Sequence, residues 1–349
     1  MKSTRKKNSP KRDSPNRNPS KVKSLKKSPK KSIRKSPKRS FKKSPKKSSP
    51  KKLNRSLPKK IKVISHTLMK RYKSPAKSSR SPKAKSVFNR FFDKIFIINL
   101  KDSPHRLKKV AKEYRNKHIK FDVFEAINGR CKKVSICKQK QKTFSKRYGV
   151  QYGNRIKNPK ERIPASSLTL SQRLIYMETI RQGWERVLIS EDDVWLTEDV
   201  ESRFKQAIKE LPDDWDMLYL GCGAECGLKG IGPTRTKTNR YITPLAPHYD
   251  VMWHVSVKED LRAPCDTCKI QSSQLTIPEH PGGTWNYAVS NKGARKLLEI
   301  MGNRVGEHCD KVYPVAIAEG KIKAYALDPP VIYHEGGAFR ADSAIPWQW

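Results

Sequence analysis

Residues 1–90 hold 35 Lys and Arg against a single acid, Asp13, and that imbalance limits what the chain can fold into. The stretch repeats a Ser-Pro-Lys theme, as in "KKSPKKSIRKSPKRSFKKSPKKSSPKK". Its apolar residues are too sparse to bury a core and its like charges repel, so a disordered basic tail is expected over 1–90. Residues 91–349 are different material, with 42 bases and 31 acids, and are long enough for a folded domain. Order is expected to begin near Phe88.

Within that second part the apolar pattern alternates between strands and helices. "KIFIINL" (94–100) reads as a buried strand, and Ser103-Pro104 opens a helix bearing Leu107, Val110, Ala111 and Tyr114. "IKFDVFEA" (119–126) is a second strand closed by the turn "INGR". The basic, aperiodic run 131–164 reads as a long loop. A helical stripe of Leu174, Met177, Ile180 and Trp184 follows, with Ser171 as its expected cap and Gly183 as its stop. "RVLIS" (186–190), "WDMLYLG" (215–221), "TWNYAVS" (284–290) and "IKAYAL" (322–327) are further strands. Thr197 is expected to cap a helix through Val200, Phe204 and Leu211, and another helix carries Ala294, Leu297 and Met301. This alternation predicts an α/β sheet flanked by helices.

"VLISEDDVWL" then poses a chemical question. Four strand-forming residues run into Glu191, Asp192 and Asp193, and neighbouring buried carboxylates raise one another's cost of ionisation. Ligands of open α/β sheets bind beyond the carboxyl ends of the strands, where this triplet falls. Carboxylates there can share a hard cation, Mn²⁺ or Mg²⁺, which would cradle a diphosphate. Alternation along an extended chain would point Glu191 and Asp193 to one side. An acidic turn favoured by the following helix dipole is the other reading.

The ordered pieces resemble glycosyltransferase family 25, which includes lipooligosaccharide and procollagen galactosyltransferases. "IFIINLKDSPHRLKK" is similar to its opening strand and Arg-bearing helix start, and "FDVFEAING" to its second strand and Ala-x-x-Gly turn. "SLTLSQRLIYMETIRQGWERVLISEDDV" resembles its Ser-His helix running into the Glu-Asp-Asp signature. "DWDMLYLG", "GTWNYAVSNKGARKLLE" and "EHCDKVY" follow in the family's order, and the resemblance spans roughly 93 to 345. Two departures stand out: Gln172 replaces the family's His, and Arg106 is the only Arg at the helix start.

The resemblance implies a GT-A fold and metal-dependent, inverting sugar transfer from a UDP-sugar, galactose first and glucose next, to a hydroxyl of a glycan or protein. It implies Mn²⁺ or Mg²⁺ at Glu191, Asp192 and Asp193, with His334 in "VIYHEGG" as a further ligand or diphosphate donor. Asp310 is the implied base; Asn99, Arg106 and Ser171 would meet the nucleotide-sugar. Trp285 and Tyr287, with Asn286 between them, would line the acceptor side. A catalytically inactive member or a polybasic nucleic-acid-binding protein is the alternative, and lipopolysaccharide biosynthesis is one implied setting.

Seven cysteines, an odd number, argue against a disulfide scaffold and for a reducing compartment. Cys222, Cys226, Cys265 and Cys268 offer either a zinc staple or unpaired thiols. No membrane span and no secretory signal is apparent, which points to a cytoplasmic enzyme of bacterial type or one made by a large DNA virus. The eight Ser-Pro dipeptides of residues 1–90 are similar to the Ser-Pro-Lys-Lys repeats of chromatin tails. Nucleic acid or another polyanion is therefore an expected partner of the tail, through salt-sensitive phosphate neutralisation.

Overall fold

Nine strands form one central sheet, and their order decides where the site lies. The computed structural model describes residues 69–71, 85–153, 155–222, 234–235, 241–243, 246–251, 269–279, 281–306 and 308–334. In chain order the elements begin β1 (Met69–Arg71), α1 (Val87–Phe91), β2 (Lys94–Asn99), α2 (Pro104–Asn116) and β3 (Asp122–Glu125). Next come α3 (Val134–Tyr148), β4 (Gln151–Tyr152), α4 (Pro159–Gln182), β5 (Arg186–Glu191), β6 (Val194–Leu196), α5 (Val200–Glu210) and β7 (Met217–Gly221). Short strands β8 (Thr234–Arg235), β9 (Tyr241–Thr243), β10 (Ala246–Val251), β11 (Lys269–Ile270) and β12 (Leu275–Ile277) follow. The last are β13 (Asn286–Ser290), α6 (Asn291–Met301), β14 (Arg304–Val305), α7 (Cys309–Ala318), β15 (Ala324–Leu327) and β16 (Ile332–His334).

Nine strands form the main sheet in the order β1-β3-β2-β5-β13-β7-β15-β12-β11. β2 runs parallel to both β3 and β5, whereas β13 runs antiparallel to β5 and β7. The sheet is mixed and flanked by helices, as in a GT-A-like fold. Alternation along β2 sends Phe96 and Ile98 into one core, with Leu174, Ile189, Tyr287 and Leu297. Ile95 and Ile97 enter the other, with Tyr114, Leu188, Val200 and Phe204. Both faces are thus covered, which is why these strands read as continuous apolar runs.

Several expectations are corrected. The run 131–164 is not a loop. Its 134–148 part is helix α3, made largely of Lys, Gln, Ser and Thr with a thin buried stripe of Cys137 and Tyr148, ended by Gly149 in the left-handed region. Lys and Gln favour helix without marking an apolar face, so periodicity misses it. α4 begins twelve residues before Ser171. Asn158 caps it by accepting from Lys160 N–H, Pro159 fills its first position and Asn158 Nδ2 donates to Glu161 Oε1 at 2.7 Å. Ser171 therefore lies inside the helix, while Gly183 ends it as expected. Asp199, not Thr197, precedes α5; Thr197 is buried and its N–H bonds Val331 O.

Inside the stretch expected to be tail, Met69–Arg71 pairs antiparallel with β3 as an edge strand, and α1 starts at Val87. An edge strand needs little apolar content, and Met69 packs against the core. The rest of residues 1–84 lies outside the described residues.

Candidate active site

β5 sits between β2 and β13, so its carboxyl end meets the end of one neighbour and the beginning of the other. Glu191 closes the strand, its N–H bonded to Trp285 O at 2.7 Å. The chain leaves the sheet at Asp192 and Asp193, then returns as β6, which pairs with β16 and sets Val194 opposite His334. Four separate segments thereby converge: Asn99 at the end of β2, Arg106 in the first turn of α2, the triplet, and His334.

Each carboxylate has a partner. Asn99 Nδ2 donates to Asp192 Oδ2 at 2.6 Å and to Ser103 O at 3.0 Å, fixing both the acid and the turn that begins α2. Arg106 Nη2 reaches Asp192 Oδ1 at 2.6 Å and also bonds Asp193 Oδ2. His334 Nε2 lies 3.1 Å from that same Asp193 oxygen. Thr284 Oγ1 donates to Glu191 Oε1 at 3.2 Å. The positive charge that the sequence demands is supplied by Arg106, a cation that is only 8% exposed, and His334 adds a hydrogen-bonding imidazole on the other side of Asp193.

The environment separates the three acids. Burial, reinforced by the charge of Asp193, pushes Glu191 up to about 7. Burial lifts Asp192 to about 6 despite Arg106. Asp193 is also buried, but His334 and Arg106 outweigh that and hold it well below the usual carboxylate range. Burial pulls the His334 imidazole down; Asp193 more than restores it, leaving it above its ordinary value. The cluster is thus an ionised Asp193 beside Arg106 and His334, next to a Glu191 poised near neutrality between its two forms.

Among the described residues no three His, Cys, Asp or Glu side chains already stand together as a metal cage. Asp192 is committed to Asn99 and Arg106. The remaining donors still suit a hard divalent cation: Asp193 Oδ1 is buried with no hydrogen-bond partner, and Glu191 and His334 flank it.

Asp310 occupies the first turn of α7, reached from the triplet through Thr284, whose hydroxyl contacts Cys309 Sγ at 3.4 Å. Burial raises the Asp310 carboxyl despite His308 and Lys311 beside it, and its Oδ1 is buried without a hydrogen-bond partner. Trp285 tilts against His334 with ring centroids 5.3 Å apart. Gly283, at φ +76°, lets the Trp285 ring lie on the backbone, since a Cβ there would fall 1.9 Å from Cζ3.

Residues 92–313 match the family described as Glycosyltransferase family 25 (LPS biosynthesis protein). This chain belongs to glycosyltransferase family 25. Family 25 relatives include "Procollagen galactosyltransferase 2" of Mus musculus, 28% identical over 261 residues, covering 69% of this chain and 35% of that protein. The Homo sapiens "Procollagen galactosyltransferase 2" is 28% identical over 137 residues, covering 37% of this chain and 21% of its own length. The "Probable inactive glycosyltransferase 25 family member 3" of Rattus norvegicus is 29% identical over 150 residues, covering 41% of this chain and 24% of its own. The chain thus spans about a fifth to a third of the length of these curated relatives.

Three expected site residues lie elsewhere. Ser171 is buried, donating to Ser167 O at 2.8 Å and accepting from Ile127 N–H at 2.9 Å, so it pins the Ala-x-x-Gly turn to α4. Gly129 in that turn leaves no room for a side chain, since a Cβ would sit 2.4 Å from Ser167 Oγ. Tyr287 is core, not acceptor side: its hydroxyl meets Tyr176 at 2.5 Å, Tyr176 meets Tyr313 at 2.7 Å, and Tyr313 donates to Gln172 Oε1 at 2.6 Å. The position of the family's His thus ends a buried hydroxyl chain. Neighbouring Asn286 is likewise interior, its Nδ2 donating to Tyr114 at 3.1 Å. β13 is a central strand covered on both faces, so Asn286, Tyr287, Ala288 and Val289 are all buried. Thr284 and Cys309 were not singled out from the sequence; only the fold joins them to Glu191.

The cysteines also differ from expectation. Cys131 and Cys137 form a disulfide across six residues at the start of α3, and Cys222 is disulfide-bonded too. A local pair needs no scaffold, so an odd total does not exclude it, and Cys222 is not a free thiolate for zinc. Cys226, Cys265 and Cys268 lie outside the described residues. No helix among those described is long and apolar enough to cross a membrane.

Proposed function

We propose that this domain transfers a hexosyl group, galactose or else glucose, from a UDP-sugar to a hydroxyl of a glycan or protein, with inversion at the anomeric carbon. The observation that carries this reading is the acidic mouth of β5, fastened to Arg106, Asn99 and His334, in a chain of family 25. Mn²⁺ or Mg²⁺, held by Glu191, Asp193 and His334, would supply Lewis-acid neutralisation of the departing diphosphate. Arg106 adds a fixed cation to the same place, and Asn99 keeps Asp192 from turning into it.

Asp310 is the base. As the acceptor oxygen bonds to the anomeric carbon, its proton passes to an Asp310 carboxylate oxygen, and the electron pair of the breaking C–O bond leaves with UDP. A raised carboxyl is better matched to this step near neutral pH than an ordinary one. Trp285, packed beside His334, excludes water from one side of the cluster.

The test is UDP release from UDP-galactose and UDP-glucose with and without Mn²⁺, comparing the chain with Asp193→Ala. Manganese-dependent release that Asp193→Ala abolishes supports the proposal. No release from either donor makes the chain an inactive member, like relatives whose names say so.

A further inference from the structure

The net charge of the folded part is not spread over its surface. Residues 126–160 hold eleven Lys and Arg and no acid, while the other residues of 91–349 hold 31 bases and 31 acids. The whole excess of the domain thus sits in 35 residues, centred on α3. Lys132, Lys133, Lys138, Lys142, Lys146 and Arg147 are exposed. Lys138, Lys142 and Lys146 stand at successive i, i+4 positions, one row on one helix face. Like charges so placed destabilise a helix. No carboxylate among the described residues pairs with any of the three.

Both ends of this segment are built into the candidate site. At one end Arg130 pairs with Asp102 at 3.3 Å and Asn128 Nδ2 donates to Asp102 at 3.1 Å, in the turn leading to Arg106. Lys140 reaches back to Asn128 O at 2.9 Å. At the other end β4 pairs with β14, and Gly153 lies against Gly306, just ahead of His308 and Asp310. The basic segment therefore runs from the turn before Arg106 to the strand before Asp310.

We infer that α3 is an acceptor platform, and that the acceptor is an anionic glycan, one carrying carboxylate or phosphate groups. This rests on the transferase reading above and names its acceptor class. The basic residues of 1–90 would be repelled by α3, so the occupant is not that part of the chain. A negatively charged acceptor relieves the lysine row, and the segment's two ends join the elements that carry Arg106 and Asp310.

Hydrogen exchange on the full chain reads the helix separately from residues 1–90. Oligogalacturonate supplies carboxylates, phosphorylated oligomannose supplies phosphates, and maltoheptaose is the neutral control. Protection of amides 134–148 by either anionic glycan and not by maltoheptaose is expected, and which one protects identifies the charge. The triple variant Lys138→Gln, Lys142→Gln, Lys146→Gln should weaken that binding about tenfold, with UDP release from UDP-galactose unchanged. No protection, equal protection by maltoheptaose, or protection by a short DNA duplex alone overturns the inference. Absent UDP release in the unaltered chain overturns the transferase reading instead, because the footprint needs no turnover.

Discussion

The mouth of β5 and the outer face of α3 handle charge in opposite ways. At the mouth three carboxylates are packed into the interior, and each is tied to a named donor: Asn99, Arg106, His334 or Thr284. On α3 a row of lysines stands in water with no acid beside it. Burial forces pairing, because an uncompensated ion loses hydration that the protein must replace. Exposure imposes no such demand, so unpaired surface charge is available to a partner. The first region is expected to govern folding and chemistry, the second only what is bound.

Arg106→Ala should cost the most. It leaves Asp192 and Asp193 buried without their shared cation, a loss of about 3–5 kcal/mol, measurable by denaturant unfolding. A loss under about 1 kcal/mol would mean that the cluster is solvated and the contrast false.

Asp310→Asn sharpens the contrast by separating chemistry from stability. Loss of the base should lower kcat roughly 10²–10⁴-fold. Burial raises the Asp310 carboxyl, so folding favours its protonated form. Its stabilising contribution is full below the unfolded carboxylate pKa of about 3.9 and fades as pH rises through the higher folded value. The Asn variant should therefore melt no lower than the parent at neutral pH, and parent turnover should decline as pH falls through that raised value. A variant that keeps its turnover would remove Asp310 from the mechanism.

Tyr176→Phe leaves the buried hydroxyls of Tyr287 and Tyr313 without their shared partner, at a cost of about 1–3 kcal/mol in thermal or chemical unfolding. Smallest of all, Lys142→Ala should change stability by less than about 0.5 kcal/mol. If it destabilises like Tyr176→Phe, α3 is part of the core and not a free surface.

The strands that build the sheet were legible because both of their faces are covered, leaving unbroken runs such as "KIFIIN" and "RVLIS". The Glu-Asp-Asp triplet announced itself by the same logic, as charge where burial was expected. α3 was hidden because its stability comes from backbone preference and a few buried contacts, with no apolar stripe to see. Ser171 and Tyr287 were misplaced because a motif records which residues occur, not which side of a helix or strand they occupy.

Residue order alone determined the contrast in charge between residues 1–90 and 91–349, the α/β alternation, and the need for cations at the end of β5. Only the tertiary structure decided which cations those are. Arg106 is 85 residues before Glu191 in the chain and His334 is 143 after it, and a strand's hydrophobicity says nothing about its neighbours. Strand order makes them neighbours, because hydrogen-bonded pairing between segments distant in the chain is what turns separate side chains into one electrostatic unit.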